Sequence, residues 1–446
     1  MSKTFSIGGI HPPDYKLSAN AAIESLPITA TAYISMAQHL GAPAEPVVGK
    51  DDFVKVGQII GKASGFISAN VHASVSGTVL SVEPFTDHVG KKSTTIVIKV
   101  QGDEWMEGID RTPQINRNIT LTGPEIIQKI AEGGIVGLGG ATFPTHVKLS
   151  PPPNKKATCL ILNGAECEPF LTSDHRIMLE QGEEVLVGAI LMMRALEVQK
   201  GYIGIEENKP DAIRHLLALS KSYPQIEVVS LKKKYPQGGE KQLIDAVVKR
   251  QVPSMGLPVD VGVVVQNVGT ALAVYEAVQK NKPLIEKVVT ITGSCLSTQR
   301  NFRVRIGTPL SELIDAVGGL PTEASKIVLG GPMMGKPIAH TEAPLTKGGS
   351  AILFLTEKET KRPPETPCIR CAKCVEACPM GLEPYLLFKL AKVHRIEALE
   401  ENRVYDCIEC GCCTYACPAR LPLLDMMSLS KWQVLNVMRR RAAESK

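Results

Sequence analysis

Two cysteine runs determine the predicted fold of the C-terminal part of the chain: CIRCAKCVEACP at residues 368–379 and CIECGCCTYACP at residues 407–418. Both runs contain the pattern CxxCxxCxxxCP. Three cysteines at two-residue gaps wrap one face of an iron–sulfur cubane, and the fourth cysteine points away and ligates the neighbouring cluster. The proline after that fourth cysteine turns the chain out of the ligand loop. The pattern therefore predicts a bacterial-ferredoxin-type module with two [4Fe–4S] clusters that exchange one ligand each.

This exchange assigns four cysteines to each cluster. Cluster 1 takes Cys368, Cys371, Cys374 and Cys417, and cluster 2 takes Cys378, Cys407, Cys410 and Cys413. Cys412 is out of phase with the second run, so we interpret it as a non-ligand thiol near the cluster, with substitution for Cys413 as the alternative. A pair of zinc sites is the alternative for the whole module, although zinc motifs usually consist of separated CxxC pairs. Two clusters this close form a path for electrons, and a helix is predicted between the runs, over residues 386–399.

Composition bounds the remaining chain. A length of 446 residues predicts about three or four domains. Hydrophobic residues at 44% and charged residues at 21% are typical of a folded, soluble protein. Aromatic residues at 4% and a net charge of +5 argue against nucleic-acid binding. With no apolar run of roughly 18 residues and no signal-peptide pattern at residues 1–10, we expect a cytoplasmic protein that reaches a membrane only through partners.

Upstream of the cysteine runs, three folded regions are predicted. Short apolar runs broken by glycine over residues 38–101 resemble the lipoyl/biotinyl barrel-sandwich pattern, but residues 68–73 hold no modifiable lysine, so a docking or structural role is expected. Alternating helices and strands from Thr122 predict a parallel or mixed α/β sheet. Residues 287–340 resemble a soluble-ligand-binding β-grasp unit. A Pro-rich, charged segment at residues 361–367 then predicts a linker.

The α/β region contains a glycine-rich segment, GGIVGLGGATFPT at residues 133–145. Thr142 stands where a GxGxxG fingerprint needs its last glycine, so a plain Rossmann interpretation fails. Consecutive glycines nevertheless let a phosphorylated ligand approach the backbone, and Lys148 offers a cation to the phosphate. A simple glycine-rich turn is the alternative. Asn163, Glu166 and Glu168 follow the next predicted strand, at the sheet edge where α/β proteins bind ligands.

The order of motifs resembles a known family. GxGGAxFPTxxK is followed by NxxExEP at residues 163–169, YPxGGEKQL at 235–243 and QNVGT at 266–270. This order is similar to the flavin subunit of respiratory complex I, and closer still to the RnfC subunit of the Rnf (Rsx) ion-translocating ferredoxin:NAD oxidoreductase complex. The opening GGIHPP at residues 8–13, the stretch MAQHLGAP at 36–43 and the doubled cysteine run also match that subunit. The complex I form has arginine where this chain has Leu138, so no role is carried over from that arginine.

The resemblance implies FMN in the α/β domain, with NAD(H) as substrate over it. The residues that match the family's FMN and dinucleotide contacts are Gly137, Gly139, Gly140, Phe143, Lys148, Asn163, Glu166, Glu168, Glu240 and Asn267, with Glu207 as a weaker candidate. Gly137, Gly139, Gly140 and Lys148 resemble the phosphate and ribityl contacts, and Phe143 resembles the ring against nicotinamide. Hydride transfer moves two electrons whereas a cubane accepts one, and a flavin converts between the two.

The resemblance implies a peripheral subunit on the cytoplasmic side of the cell membrane. Its partners would be a ferredoxin-like subunit and integral membrane subunits that move Na⁺ or H⁺. A stand-alone flavin/iron–sulfur reductase of the cobalamin-reductase kind and a non-catalytic cluster scaffold are the alternatives. The predicted parts are an N-terminal region with the barrel (1–115), an α/β FMN/NADH domain (116–284), a β-grasp domain (285–345), a linker (346–367), a helical two-cluster domain (368–425) and a basic tail (426–446).

Overall fold

The N-terminal region folds as two small packed sheets. The structure, a computed structural model, describes residues 2–444, so Met1 of this region and the last two residues of the predicted tail lie outside the described residues. The strands of the two sheets are β2 (Thr31–Ser35), β3 (Glu45–Pro46), β4 (Phe53–Val54), β5 (Ile59–Lys62), β6 (Val71–His72), β7 (Gly77–Thr86) and β8 (Lys92–Val100), whereas the preceding strand β1 (Ile23–Ser25) joins the mixed sheet described below. Sheets β2-β8-β7-β4 and β3-β5-β6 enclose a core that includes Ile34, Ile60 and Ile96. This is the predicted barrel sandwich.

The central region is a parallel sheet with helices on both sides. Its elements are α1 (Gly123–Glu132), α2 (Thr145–Lys148), β9 (Cys159–Asn163), α3 (Ser173–Glu180), α4 (Gly182–Ala195), β10 (Gly201–Glu206), α5 (Pro210–Leu219), β11 (Ile226–Leu231), α6 (Glu240–Val248), β12 (Val263–Asn267) and α7 (Val268–Gln279). The strand order is β11-β10-β9-β12, and all pairs are parallel. Apolar strands buried on both faces explain this arrangement. The carboxyl ends of β9 and β12 coincide, because Asn163 and Asn267 are register partners.

A mixed sheet follows. Its elements are β13 (Glu286–Gly293), β14 (Arg300–Arg305), α8 (Leu310–Asp315), β15 (Ala324–Leu329), β16 (Lys336–Pro337) and β17 (Ala351–Thr356), with the short helix α9 (Glu357–Thr360) after them. The order β1-β14-β13-β17-β15-β16 places β17 between two strands of the sheet. The predicted linker over residues 346–367 is therefore wrong in its first half. Residues 351–354 are fully buried apolar side chains, which require a strand inside the core rather than a linker.

The cysteine module is helical. Its helices are α10 (Lys373–Glu376), α11 (Pro384–Lys392), α12 (Ile396–Glu401), α13 (Cys412–Ala416) and α14 (Leu423–Glu444). The single helix predicted over residues 386–399 is wrong, because His394 adopts a left-handed φ of +52° and separates α11 from α12. The boundary predicted at residue 425 falls inside α14. Met427 and Val434 of α14 are buried in the module core, so this helix belongs to the module rather than to a separate tail.

Residues 3–16 form an extended segment, here called the N-terminal strap, that crosses the α/β domain and the cysteine module. Lys3 pairs with Leu231, and Ile10 pairs with Tyr235, each through a backbone bridge. The Gly9 N–H donates to the Ala377 carbonyl at 3.0 Å. The strap therefore ties both regions together. Among residues 2–444, no helix has the length and apolarity needed to cross a bilayer.

Candidate functional site

The cysteines of the two runs line two cavities, and each cavity takes one cysteine from the other run. The first, of about 180 Å³, is lined by Cys368, Cys371, Cys374 and Cys417. The second is lined by Cys378, Cys407, Cys410, Cys412 and Cys413. Its volume is about 20 Å³. Within residues 2–444, no three His, Cys, Asp or Glu side chains converge closely enough to hold a single metal ion.

Each cavity brings together cysteines of both runs. Cys417, the last cysteine of the second run, lies with the first three cysteines of the first run, and Cys378 lies with the second run. Cys412 is fully buried, and its Sγ lies 3.9 Å from the Tyr235 carbonyl oxygen of the α/β domain. The Cys412 thiol is thus placed at a domain contact beside the second cavity.

At the carboxyl edge of the parallel sheet, two asparagines stand side by side. Asn163 Nδ2 donates to the Gly238 carbonyl at 2.8 Å, and its Oδ1 accepts from the Ala165 N–H at 3.1 Å. Asn267 caps α7, since its Oδ1 accepts from Gly269 N at 2.8 Å. The asparagines therefore organise the loops around this edge through their own hydrogen bonds.

The glycine-rich segment lies next to Asn267. Its loop is closed by a hydrogen bond of 2.9 Å from Gly137 N to the Phe143 carbonyl, and Leu138 N donates to Thr270 Oγ1 at 2.9 Å. A Cβ added at Gly139 would lie 3.5 Å from Asn267 Cβ, whereas Gly140, at φ +108°, faces open space. The exposed backbone at Gly139 and Gly140 is the kind of surface on which a phosphorylated ligand can rest.

Lys148, which follows the glycine-rich segment in the chain, and Glu240, which follows Gly238, form an ion pair of 2.5 Å. Lys148 ends the short helix α2, and Glu240 begins α6. Both side chains are partly exposed, at 30% and 39%. The ammonium is therefore reachable by a phosphate, and Glu240 competes for it. Phe143 is half-buried, and Glu207 is exposed.

Glu166 and Glu168 are held by protein groups. The Glu166 carboxylate accepts from the Asp174 N–H at 2.7 Å and the His175 N–H at 3.2 Å, at the start of α3. The Glu168 carboxylate accepts from Met333 N at 3.1 Å and Met334 N at 2.8 Å, in the loop between β15 and β16. Burial raises the pKa of Glu168 to about 7. Glu168 thus joins the α/β domain to the mixed sheet.

Three polar residues near this edge were not predicted from the sequence. Asp174 Oδ2 accepts from Asn267 Nδ2 at 2.6 Å and so joins α3 to α7. Lys16 and Lys209 donate to carbonyl groups of residues 165–171. Asp174, following Thr172-Ser173, carries an ordinary helix-start signal by which it could be found. The lysines carry none, because lysine is rarely placed in an interior.

The second cavity abuts the α/β domain, and the first faces outward. Tyr235 is buried, and its hydroxyl donates to the Cys410 carbonyl at 3.0 Å. Gln242 Nε2 donates to the Pro379 carbonyl at 3.1 Å. Tyr235, Cys410 and Cys412 belong to one apolar cluster, against which Cys167 and Met333 pack. By contrast, Cys371 of the first cavity is exposed.

Family models match the chain in a consistent order. The RnfC barrel sandwich hybrid domain covers residues 3–103, the Nuo51 FMN-binding domain 130–276, the SLBB domain 288–337 and the 4Fe-4S dicluster domain 366–421. The fold and the site thus define an electron-transfer oxidoreductase subunit with one FMN domain and one two-cluster domain. The predicted fold class and the predicted FMN and [4Fe–4S] cofactors are confirmed, and the zinc alternative is wrong.

The relatives give the family. The C subunit of the proton-translocating ferredoxin:NAD(+) oxidoreductase complex of Clostridium ljungdahlii is 47% identical over 411 residues, which cover 91% of this chain and 88% of that protein. The C subunit of the Na(+)-translocating ferredoxin:NAD(+) oxidoreductase complex of Acetobacterium woodii is 44% identical over 432 residues, covering 96% of each. The chain belongs to the RnfC family, the C subunits of ion-translocating ferredoxin:NAD(+) oxidoreductase complexes.

A likeness to solved structures is weaker. The H2-reduced NAD+-reducing [NiFe]-hydrogenase aligns with a TM-score of 0.47 and 20% identity, over 68% of this chain and 54% of that one. At this level the likeness carries no argument about function.

Proposed function

We propose that this chain exchanges electrons between NAD(H) and a protein partner, through FMN, cluster 2 and cluster 1 in that order. It would act as a peripheral subunit on the cytoplasmic side of the cell membrane. Integral membrane subunits would move Na⁺ or H⁺, and a ferredoxin-like subunit would exchange electrons with this one. The observation that carries the order is the hydrogen bond from Tyr235 to the Cys410 carbonyl, which joins the flavin domain to the second cysteine cavity.

The donor sets present fit the two kinds of cofactor. The exposed amides of Gly139 and Gly140, with the cation of Lys148, suit an FMN phosphate, and Asn163 and Asn267 border the same sheet edge. The four thiols around the first cavity suit a [4Fe–4S] cluster, and so do four of the five around the second, with Cys412 as the fifth. When bound, FMN accepts two electrons with a hydride and passes them on singly.

The proposed electron path is enclosed by apolar side chains near the flavin domain and is exposed to solvent at the first cavity. Between Cys167 and the second cavity, Tyr235, Met333 and Cys412 pack into one apolar cluster. At the first cavity, the exposed Cys371 is accompanied by the exposed cations Arg370, Lys373 and Arg420. Cluster 1 would thus lie where an acidic electron carrier can approach, and cluster 2 would not.

The experiment separates the two clusters. In anaerobically purified protein, Cys371→Ala should remove cluster 1 and leave cluster 2 reducible by NADH, as seen by EPR. Cys407→Ala should remove cluster 2, and cluster 1 should then be reduced by dithionite but not by NADH. Dithionite is the control that shows cluster 1 to be intact.

Two results would contradict the proposal. Reduction of cluster 1 by NADH in Cys407→Ala at the wild-type rate would refute the order. Wild-type protein that contains iron and sulfide but neither binds FMN nor oxidises NADH would make the chain a non-catalytic scaffold.

A further inference from the structure

One lysine of the strap, Lys16, is hydrogen-bonded to a loop of the flavin domain. Lys16 Nζ donates to three backbone carbonyls, those of Glu166 at 2.8 Å, Glu168 at 2.9 Å and Leu171 at 2.7 Å. As a residue Lys16 is partly exposed, but its ammonium is turned inward onto these oxygens. Burial lowers the pKa of the ammonium to about 8. Three donors thus meet three carbonyls, a number that no neutral side chain can supply from one atom.

The loop that Lys16 holds, residues 165–171, is strained. Glu166 and Phe170 have left-handed φ values of +46° and +71°, which non-glycine residues seldom adopt without support. Neighbouring strap residues add support, since Phe170 N donates to the Asp14 carbonyl at 2.8 Å and the Phe170 ring stacks on Tyr15 at 4.9 Å. Residues 14–16 therefore hold this loop from one side.

The same loop is connected to the groups at the sheet edge. Glu166 caps α3, and α3 carries Asp174, which is hydrogen-bonded to Asn267. Cys167 Sγ accepts from Gly238 N at 3.3 Å, and the Gly238 carbonyl accepts from Asn163. A shift of the loop would therefore move both asparagines that border the proposed FMN site.

We propose that Lys16 is a positioning residue for the flavin site: its ammonium fixes the loop 165–171, and through it Asn163 and Asn267, in the arrangement that receives FMN. This inference rests on the proposed function. A second lysine acts beside it, because Lys209 Nζ donates to the Ala165 carbonyl at 2.7 Å. Lys209 is paired with the buried Glu206 at 3.8 Å, whereas the Lys16 ammonium is bonded to neutral carbonyls, and a cation near a bound flavin favours its more negative, reduced form.

The test compares Lys16→Met with a matched control on the same strap. Lys3→Met is the control, because Lys3 Nζ donates to a single carbonyl, that of Val247, at the opposite end of the strap. Lys16→Gln is the second variant, since it keeps a donor and loses the charge. In each full-length protein, FMN dissociation is measured by fluorescence, the flavin midpoint potential by spectroelectrochemistry, and both clusters by EPR.

In Lys16→Met we expect FMN to bind at least about tenfold more weakly, with both cluster signals retained. We also expect the reduced flavin to lose more affinity than the oxidised flavin, and a tenfold difference would lower the two-electron midpoint potential by about 30 mV. Lys16→Gln should show the potential shift with a smaller loss of affinity. Lys3→Met should match the wild type in every measurement.

The proposal is overturned if folded Lys16→Met binds FMN with wild-type affinity and potential. It is also overturned if neither Lys16 variant yields protein with both clusters, because Lys16 would then be needed for folding rather than for the flavin site. If the wild type itself binds no FMN, the proposed function fails first. These results are therefore distinguishable.

Discussion

The strap offers a sharp steric test at Gly8. This residue has φ +67°, and a Cβ built on it would lie 2.3 Å from the Cys378 carbonyl oxygen and 2.4 Å from its carbon. Both contacts are backbone atoms of a predicted cluster 2 ligand, so neither can rotate away. Gly8→Ala must therefore push the strap off the cysteine module.

The magnitude follows from two contributions. A left-handed alanine costs about 1–2 kcal/mol, and overpacking against a fixed backbone costs typically about 1–3 kcal/mol. The strap should thus be destabilised by about 2–5 kcal/mol. Because each 1.4 kcal/mol is a factor of ten in an equilibrium, its amides should exchange at least about 30-fold faster.

Hydrogen exchange with mass spectrometry on the strap peptide measures this opening directly. Gly381→Ala is the matched control, since Gly381 has nearly the same φ of +64° with nothing within 4 Å of its added Cβ. Gly381→Ala should speed amide exchange only in the loop around residue 381, and only by the cost of placing an alanine in the left-handed conformation. If amide exchange in the strap of Gly8→Ala rises no more than exchange in the 381 loop of Gly381→Ala, the close contact between Gly8 and Cys378 is wrong.

Three further predictions concern ligands, cofactor and pH. Cys378→Ala should abolish the EPR signal of cluster 2 and halve the iron content, and loss of cluster 1 alone would refute the exchanged ligands. Lys148→Met should weaken FMN binding roughly 10- to 100-fold, because a charged hydrogen bond contributes about 1.5–3 kcal/mol; Glu240→Gln, which frees the ammonium, should bind FMN at least as tightly, and an equal loss in both would contradict this. Burial lowers the pKa of His72 to about 3 in the folded protein. In the unfolded chain the imidazole binds a proton below about pH 6.5, whereas in the folded protein it stays neutral down to about pH 3. The free energy of unfolding therefore falls as the pH drops from about 6.5 towards 3. In full-length His72→Asn, exchange of the barrel amides should therefore depend less on pH over that range, and an unchanged dependence would exclude His72 as its source.

Local spacing explains what the sequence could predict. Cysteines two or three residues apart can reach one cluster by local geometry, and the alternation of apolar strands and helices indicates a parallel sheet without any long-range knowledge. The start of helix α1 is predictable in the same way, since Glu125 accepts from the Thr122 N–H at 2.7 Å. Such signals lie within a few residues of one another.

Long-range contacts explain what the sequence could not predict. Glu168 bonds to Met333 and Met334, which lie 165 and 166 residues further along the chain. Strand β17 follows a turn-rich stretch of sequence. It becomes a central strand because it pairs with β13 on one side and β15 on the other, and its local sequence does not reveal these partners. The contacts of Lys16, 150 to 155 residues away, likewise have no local signature.

The contacts of the strap also bear on the order in which the parts of the molecule fold. Residues 8 and 9 are synthesised long before their partners at Ala377 and Cys378. Contacts of such high sequence separation form late, after the regions that they join. We therefore expect the cysteine module to reach the flavin domain before the strap closes over it, at a stage when the second cavity is still open to iron and sulfide.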